Sequence, residues 1–327
     1  MVRKIFYLLF VAAFLFASGN PVVCGEEIRI SYGVITAALL PFYVAQDQGI
    51  YKKHGLDVEM IYMTGGAKVV QAVVSGSAQF GLANAGSGVD ARLAGHLLRY
   101  IASIYDTYYF QIFGKANIRR PEDLKGKTIA ASAAGAASDW GIRDALSLYG
   151  LVFGKDYKIA FMGGTSERVS ALERGLVDAA IISPPNGLKA QKAGFKEILN
   201  LMELKLPFAY EAVFADETYI KNNRQTAKRF LRAYVEASAV SVKHKEIAMQ
   251  VLSKVANINE REILEESYRT SVPFITKVPY VKKEIIERTL KLSRYAGAAK
   301  TNPDDFIDNS LVRELEHEGF LSKMYGK

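Results

Sequence analysis

The sequence predicts an α/β protein built from two similar lobes, and three observations carry that prediction. From Ile28 onward, short apolar runs alternate with helix-like segments. One pattern of glycines returns about a hundred residues later in the chain. The loops that follow the apolar runs are built from small residues. The chain has 327 residues, 50% hydrophobic and 23% charged, which is ordinary for a folded protein and long enough for two cores.

The first segment predicts export. Two positive charges stand in Met1–Lys4, and Ile5–Phe16 is a run of twelve uncharged residues, followed by Ala17, Ser18, Gly19 and Pro21. A charged start, a short apolar run and a small-residue exit are the parts of a secretory signal peptide, here residues 1–25. A bilayer span takes about 20 residues, more than this run offers. Cleavage fits after Gly19 or after Gly25, and the second leaves the first strand intact. Cys24, the one cysteine, could carry a lipid instead, but Val23 is bulky where a lipobox has a small residue. Removal of residues 1–25 leaves a net charge of +6, no cysteine, and no later stretch of 18 uninterrupted apolar residues.

Ile28, Ile30, Tyr32 and Val34 share one face at period two, which predicts a strand. Pro41 opens a helix through Ile50, with Gly55 as its stop. Val58–Met63, Ala67–Ser75 and Gln79–Ala83 follow as strand, helix and strand. Such alternation predicts a parallel or mixed sheet covered on both faces. Gly65-Gly66, Val70, Ala72, Gly76 and Phe80–Leu82 are then echoed by Gly163-Gly164, Val169, Ala171, Gly175 and Ala179–Ile181. After one inserted residue the offset is 99 throughout. Two such units predict two lobes with facing C-terminal strand edges.

The second lobe is predicted to open near Asn117, through the turn-rich Pro121–Lys127, with a strand at Thr128–Ala131. Ser138 is placed to cap a helix over Asp139–Tyr149, with Gly150 as its stop. Ala179–Ile182 is a further strand, ended by Ser183-Pro184-Pro185-Asn186-Gly187. Beyond Pro207 the pattern becomes helical: Gln225–Val242 is amphipathic, Asn259-x-x-Glu262 resembles a capping box, and a segment runs from Pro279 to Tyr295. Without strand partners of their own, these helices are expected around the first lobe.

Chemical motifs are sparse. Lys and Arg number 42 against 34 Asp and Glu, but the excess is spread along the chain, which argues against a nucleic-acid footprint. His54, His96, His244 and His317 are far apart, without metal-ligand spacing. Gly126-Lys127-Thr128 imitates a P-loop ending, yet Pro121 stands where its first glycine belongs, and the tripeptide enters a strand. Gly86-Ser87-Gly88 lacks the outer glycines of a nucleophile elbow. No cofactor and no metal is expected.

The loops after strands are more informative. Val34–Ala38, Thr64–Gly66, Asn84–Ser87, Ala134–Ser138 and Gly163–Thr165 all precede helices. Small residues admit a ligand to the backbone, and helix starts offer unpaired N–H groups. In open α/β sheets ligands sit outside the carboxyl ends of strands, so five such loops from two echoing lobes predict a ligand cleft.

The stretch Leu40–Val58, LPFYVAQDQGIYKKHGLDV, resembles the ABC-transporter substrate-binding proteins of the nitrate, taurine, alkanesulfonate and thiamine-pyrimidine-precursor type. The likeness continues at Gly65-Gly66, Val73–Gly81, Pro121–Lys127 and Leu172–Ala179, and covers most of residues 28–220. It implies a two-lobed periplasmic-binding-protein fold, type II-like, with two mixed sheets flanked by helices and a cleft between the lobes. Crossovers would lie near Tyr105–Phe113 and Pro207–Ala215. The chain would divide into a signal peptide (1–25), a first lobe (26–112), a second lobe (113–206) and a return with C-terminal helices (207–327). It would work in the periplasm as a monomer, without enzymatic activity, and deliver a small molecule to the membrane permease of an ABC importer.

Carried over by the same resemblance, the ligand contacts are Thr36, Ala37, Gly65, Gly66, Asn84 and Ser87 from the first lobe. Ser138, Trp140, Gly164, Thr165 and Ser183 come from the second. Trp140 suits either stacking on a planar ligand or packing. Asp106, in the aromatic run Tyr105–Phe110, would favour a cationic or N–H-donating ligand if it faced inward. An oxyanion ligand would rely on helix ends and hydroxyls, or on Arg143 or Arg168 reaching in. Both arginines lie a turn into helices, where such residues more often face solvent, which leaves the ligand's charge open. Two rivals remain: the ligand-sensing subunit of a signalling receptor, and a pyrimidine-precursor synthase, whose cysteine-rich motif is absent here.

Overall fold

The computed structural model describes residues 25–326, so Cys24 and all of the expected signal peptide except Gly25 lie outside the described residues. Among the described residues there are ten strands: β1 (Glu26–Tyr32), β2 (Leu56–Tyr62), β3 (Phe80–Ala83), β4 (Leu98–Tyr105), β5 (Gln111–Gly114), β6 (Thr128–Ala131), β7 (Lys158–Phe161), β8 (Ala179–Ile182), β9 (Lys196–Asn200) and β10 (Glu211–Asp216). They form two five-stranded sheets, ordered β2-β1-β3-β10-β4 and β7-β6-β8-β5-β9. In each, the first three strands are parallel and the fourth runs antiparallel to both of its neighbours. The antiparallel strand is always the one that has just arrived from the other lobe, β5 after β4 and β10 after β9.

The two sheets are therefore copies in topology, and the echo in the sequence marks the copy. The Gly66–Val74 helix and β3 recur as the Thr165–Glu173 helix and β8 at the offset of 99. Gly65 and Gly163 both have positive φ, +87° and +84°, a conformation that side chains with a Cβ avoid. All residues of β3 and β8 are buried, as expected for strands covered on both faces.

Several local expectations move. The helix begun by Pro41 is broken into Leu40–Asp47 and Ile50–Lys53 by Gly49 at φ +66°. The helix over Ala137–Ser147 is capped by Ala136 without a side-chain bond, and Ser138 lies inside it. Glu260, not Asn259, precedes the Arg261–Ser271 helix, and no side chain caps it.

The Arg224–Lys243 helix packs on the Leu40–Asp47 helix through aromatic faces. Phe42 stacks on Tyr234 at 4.9 Å between centroids, and Phe230 stacks on Phe80 at 4.1 Å. The two crossovers are stitched together in the same way. Tyr108 stacks on Phe208 at 4.1 Å, Phe110 meets Tyr210 edge-on at 5.1 Å, and Phe208 N–H donates to the Asp106 carbonyl at 3.1 Å. The late helices pack around the first lobe, as expected. The Lys283–Leu292 helix does pack on the Ala85–Leu93 helix, but it also reaches the second lobe through Arg288.

Candidate functional site

The carboxyl ends of β2 and β3 are joined by one polar group. Asn84 caps the Ala85–Leu93 helix: its Oδ1 accepts from Ser87 N–H at 3.2 Å, and its Nδ2 donates to Ser87 Oγ at 3.1 Å. Ser87 Oγ in turn covers Gly66, where a Cβ would collide with it. Across the cleft, Trp140 donates from Nε1 to the Gly135 carbonyl at 3.0 Å and lies against Gly86. A Cβ at Gly86 would stand 2.8 Å from the indole nitrogen, so the lobes meet there only because residue 86 is glycine. A cavity of about 750 Å³ opens between the lobes, lined by Gly65, Gly66 and Ser87 on one side and Ala133–Ala136 on the other.

A second group closes the carboxyl ends of β7 and β8. The hydroxyls of Thr165 and Ser183 are 2.9 Å apart, and Arg168 donates from Nη2 to Thr165 Oγ1 at 2.7 Å. Arg168 also donates from Nε to the Gly164 carbonyl at 3.3 Å, and its guanidinium lies 5.9 Å from the Phe110 ring centre. The residue is only 3% exposed, which overturns the expectation that it faces solvent. Its Nη1 is buried without a hydrogen-bond partner among the described residues. Burial lowers its pKa to about 10, and the nearby Tyr210 and Glu167 oppose the shift.

Tyr210, on the return crossover, meets the Phe110 ring edge-on at 5.1 Å. Burial raises its pKa, the Glu211 carboxylate adds to the rise, and Arg168 and Thr36 work against it. Glu211 opens β10, is 4% exposed, and has a buried Oε2 without a partner among the described residues. Burial pushes its pKa up to about 8. Its carboxylate also raises the pKa of Tyr43 and Tyr100. Those two phenols donate to the carbonyls of Val34 and of Asn84 and Ala85, at the ends of β1 and β3.

The remaining expected contacts have other engagements. Thr36, half-buried, caps a short turn by accepting from Ala38 N–H at 3.4 Å, and Ala37 is packed in the core. Ser138 Oγ accepts from Ser132 N–H at 3.0 Å and bonds Ser132 Oγ at 2.7 Å, holding the loop after β6. Asp106 accepts from Ser103 Oγ at 2.5 Å and pairs with Lys282 at 2.9 Å. Arg143 is bound to Asp139 at 2.6 Å and stacks 3.5 Å above Phe153. Among the described residues, no group of three or more His, Cys, Asp or Glu is placed to hold a metal, and no helix is long and apolar enough to cross a membrane.

A sequence profile described as NMT1/THI5 like matches residues 36–248, from the loop after β1 into the Lys245–Ala256 helix. The chain belongs to the NMT1/THI5-like family. It is 25% identical over 227 residues to a protein of Brucella abortus (strain 2308) named as a candidate binding protein, covering 68% of this chain and 70% of that one. Its fold is similar to that of the alkanesulfonate-binding protein SsuA from Xanthomonas axonopodis pv. citri, at a TM-score of 0.70 and 17% identity over 88% of this chain and 97% of the other. The periplasmic nitrate-binding protein NrtA from Synechocystis PCC 6803 is similar at a TM-score of 0.73 and 16% identity, over 90% and 89%.

Sequence reasoning missed Tyr210 and Glu211 and weighed Arg168 toward solvent, although the echo held a signal for it. At the offset of 99, Arg168 takes the place of Val69, which is fully buried on the inner face of its helix. For Glu211 the signal is a carboxylate heading the apolar strand Ala212–Ala215, all of it buried.

Proposed function

We propose that this NMT1/THI5-like chain is an extracytoplasmic solute-binding protein that closes its two lobes over a small molecule and delivers it to the membrane permease of an ABC importer. One observation carries the reading: two sheets of identical order turn their carboxyl edges toward a cleft lined from both lobes. Proteins named for alkanesulfonate and nitrate binding share this fold, and the curated relative's name points the same way. The ligand would shift an open–closed equilibrium by its differential affinity for the closed form. The protein would act in the periplasm as a monomer, with residues 1–25 removed on export, and its work would be capture rather than chemistry.

Gly65, Gly66, Asn84 and Ser87 on one side, and Trp140, Gly164, Thr165 and Ser183 on the other, are proposed as walls of the site. The test is a thermal-shift screen of the exported protein against sulfonates, nitrate, carboxylates, amino acids, amines and pyrimidines. Ligand at about 100 times its dissociation constant stabilises a fold by about 2.7 kcal/mol, well within detection. Asn84→Ala and Thr165→Ala should weaken binding of the hit without unfolding the protein. No stabilisation by any class, after refolding to strip co-purified ligand, would count against the reading.

A further inference from the structure

Gly135 belongs to the loop that forms the second lobe's side of the cavity, and the helix after it holds both of its backbone polar groups. Its N–H donates to Asp139 Oδ2 at 2.9 Å, and its carbonyl accepts from Trp140 Nε1 at 3.0 Å. Each of these two side chains also meets the opposite side of the cleft. Trp140 lies against Gly86. Asp139 Oδ2, the oxygen that holds Gly135, accepts from Arg294 Nη2 at 3.2 Å as well. Arg294 follows the Lys283–Leu292 helix, which packs on the first lobe, and Ser293 Oγ donates to Asp90 of that lobe. The next residue, Tyr295, lines the same cavity as Gly135. Asp139 Oδ1 instead accepts from Arg143 Nε at 2.6 Å, within its own helix. One buried carboxylate thus joins the cleft wall on one oxygen to a cation that arrives from across the cleft.

We infer that Asp139 is a positioning residue that stiffens the Gly135 wall when Arg294 docks on it and loosens the wall when the lobes part. The inference rests on the two-lobed solute-binding reading and adds how closure reaches the wall. Arg143 is stacked 3.5 Å above Phe153 within the second lobe, so Oδ1 keeps its cation in either form. A carboxylate with only 2% of its side chain exposed therefore never stands unpaired. Oδ2 is the variable side. With Arg294 docked, two donors fix that oxygen, one of them charged. With Arg294 withdrawn, the carboxylate is tied to an arginine at one oxygen only and turns more freely, and Gly135 N–H then bonds a mobile acceptor. The Arg294 side chain is 66% exposed, so the link is modest in strength and screened by salt. Asp139 acts through Gly135 rather than on the ligand.

Trp140 is the chain's one tryptophan and bonds Gly135 directly, so its fluorescence reads the wall in the empty protein. No ligand enters the test, and its failure is therefore distinct from failure of the solute-binding reading. Acrylamide quenching of the exported protein should rise about twofold in Arg294→Ala, and exchange of the Gly135 amide, followed by NMR, should quicken with it. Arg294→Lys, which keeps the charge, should restore most of both. Because Arg294 is largely exposed, Arg294→Ala should melt within about 2 °C of the wild type. Asp139→Asn should resemble Arg294→Ala, and adding Arg294→Ala to it should change nothing more, whereas adding Arg288→Ala, which acts through Asp144, should still raise quenching. Unchanged quenching and exchange in Arg294→Ala would overturn the assignment. So would effects at 139 and 294 that simply add, or a loss that Arg294→Lys does not restore. If Asp139→Asn does not fold, Arg294→Ala and its lysine rescue decide the matter.

Discussion

Arg288 grips Asp144 across the cleft, donating from Nε to Oδ2 at 3.0 Å and from Nη2 to Oδ1. Asp144 lies on the Ala137–Ser147 helix of the second lobe with its side chain 2% exposed, while the Arg288 helix packs on the first lobe. Arg294 repeats the arrangement with Asp139 at 3.2 Å, and Ser293 Oγ ties the same segment to Asp90 at 3.1 Å. The Lys283–Leu292 helix and the residues just after it therefore strap the lobes together. A buried carboxylate that loses its arginine costs about 3–5 kcal/mol unless it regains water, and opening the cleft returns that water.

Arg288→Ala should consequently favour the open form. Small-angle scattering of the unliganded variant should give a larger radius of gyration than the wild type, with ligand affinity lowered about tenfold or more. An unchanged radius and affinity would remove the strap from the account of closure.

Glu211 predicts an unusual pH profile. Its folded pKa, about 8, lies above the ordinary 4.5, because burial penalises the charged form. Below 4.5 the carboxyl is protonated in both states and its contribution is fully present. Between 4.5 and 8 the unfolded chain gives up the proton that the native state keeps. Stability should therefore fall across that window, by at most about 1.4 kcal/mol per pH unit. Urea unfolding of wild type and Glu211→Gln at pH 5, 6, 7 and 8 checks this: the difference between them should shift in the variant's favour as pH rises.

Gly86→Ala separates closure from folding. Residue 86 lies in a helix, where alanine is favoured by about 1 kcal/mol, which offsets the tight approach of the new Cβ to Asn84 Oδ1 at 3.1 Å within the first lobe. Across the cleft the same Cβ would stand 2.8 Å from Trp140 Nε1, where the lobes meet. Ligand affinity should fall about tenfold while the melting temperature of the empty protein holds or rises.

Phe230 joins two layers of the first lobe, stacked on Phe80 and 6.2 Å from Phe42. Phe230→Ala should cost about 3–5 kcal/mol in chemical denaturation, through lost burial and the cavity left behind. A loss under 1 kcal/mol would mean that the helix repacks.

Much of the fold was legible because it rests on local periodicity. β6 and β8 have the bounds read from their apolar runs, and the Gly65 and Gly163 turns announced themselves through a backbone conformation that excludes a Cβ. The caps at Ser138 and Asn259 misled for the opposite reason. A hydroxyl or amide near a helix start has several partners within reach, and Ser138 bonds Ser132 instead.

The sequence by itself determined the strand–helix alternation, the doubled unit and the small-residue loops, because each is written in neighbours a few residues apart. Only the tertiary structure decided which charges are buried, since burial depends on elements far apart in the chain. Arg168 sits a turn into an ordinary helix, and what encloses it is Phe110 and Tyr210 from the two crossovers. Glu211 heads β10 and is buried there by strands that come from distant parts of the chain. Asp106 stands in an aromatic run that could have faced the cleft, and a lysine 176 residues later claims its carboxylate. An isolated charge in a sequence carries no sign of its solvation; the folded surroundings supply it.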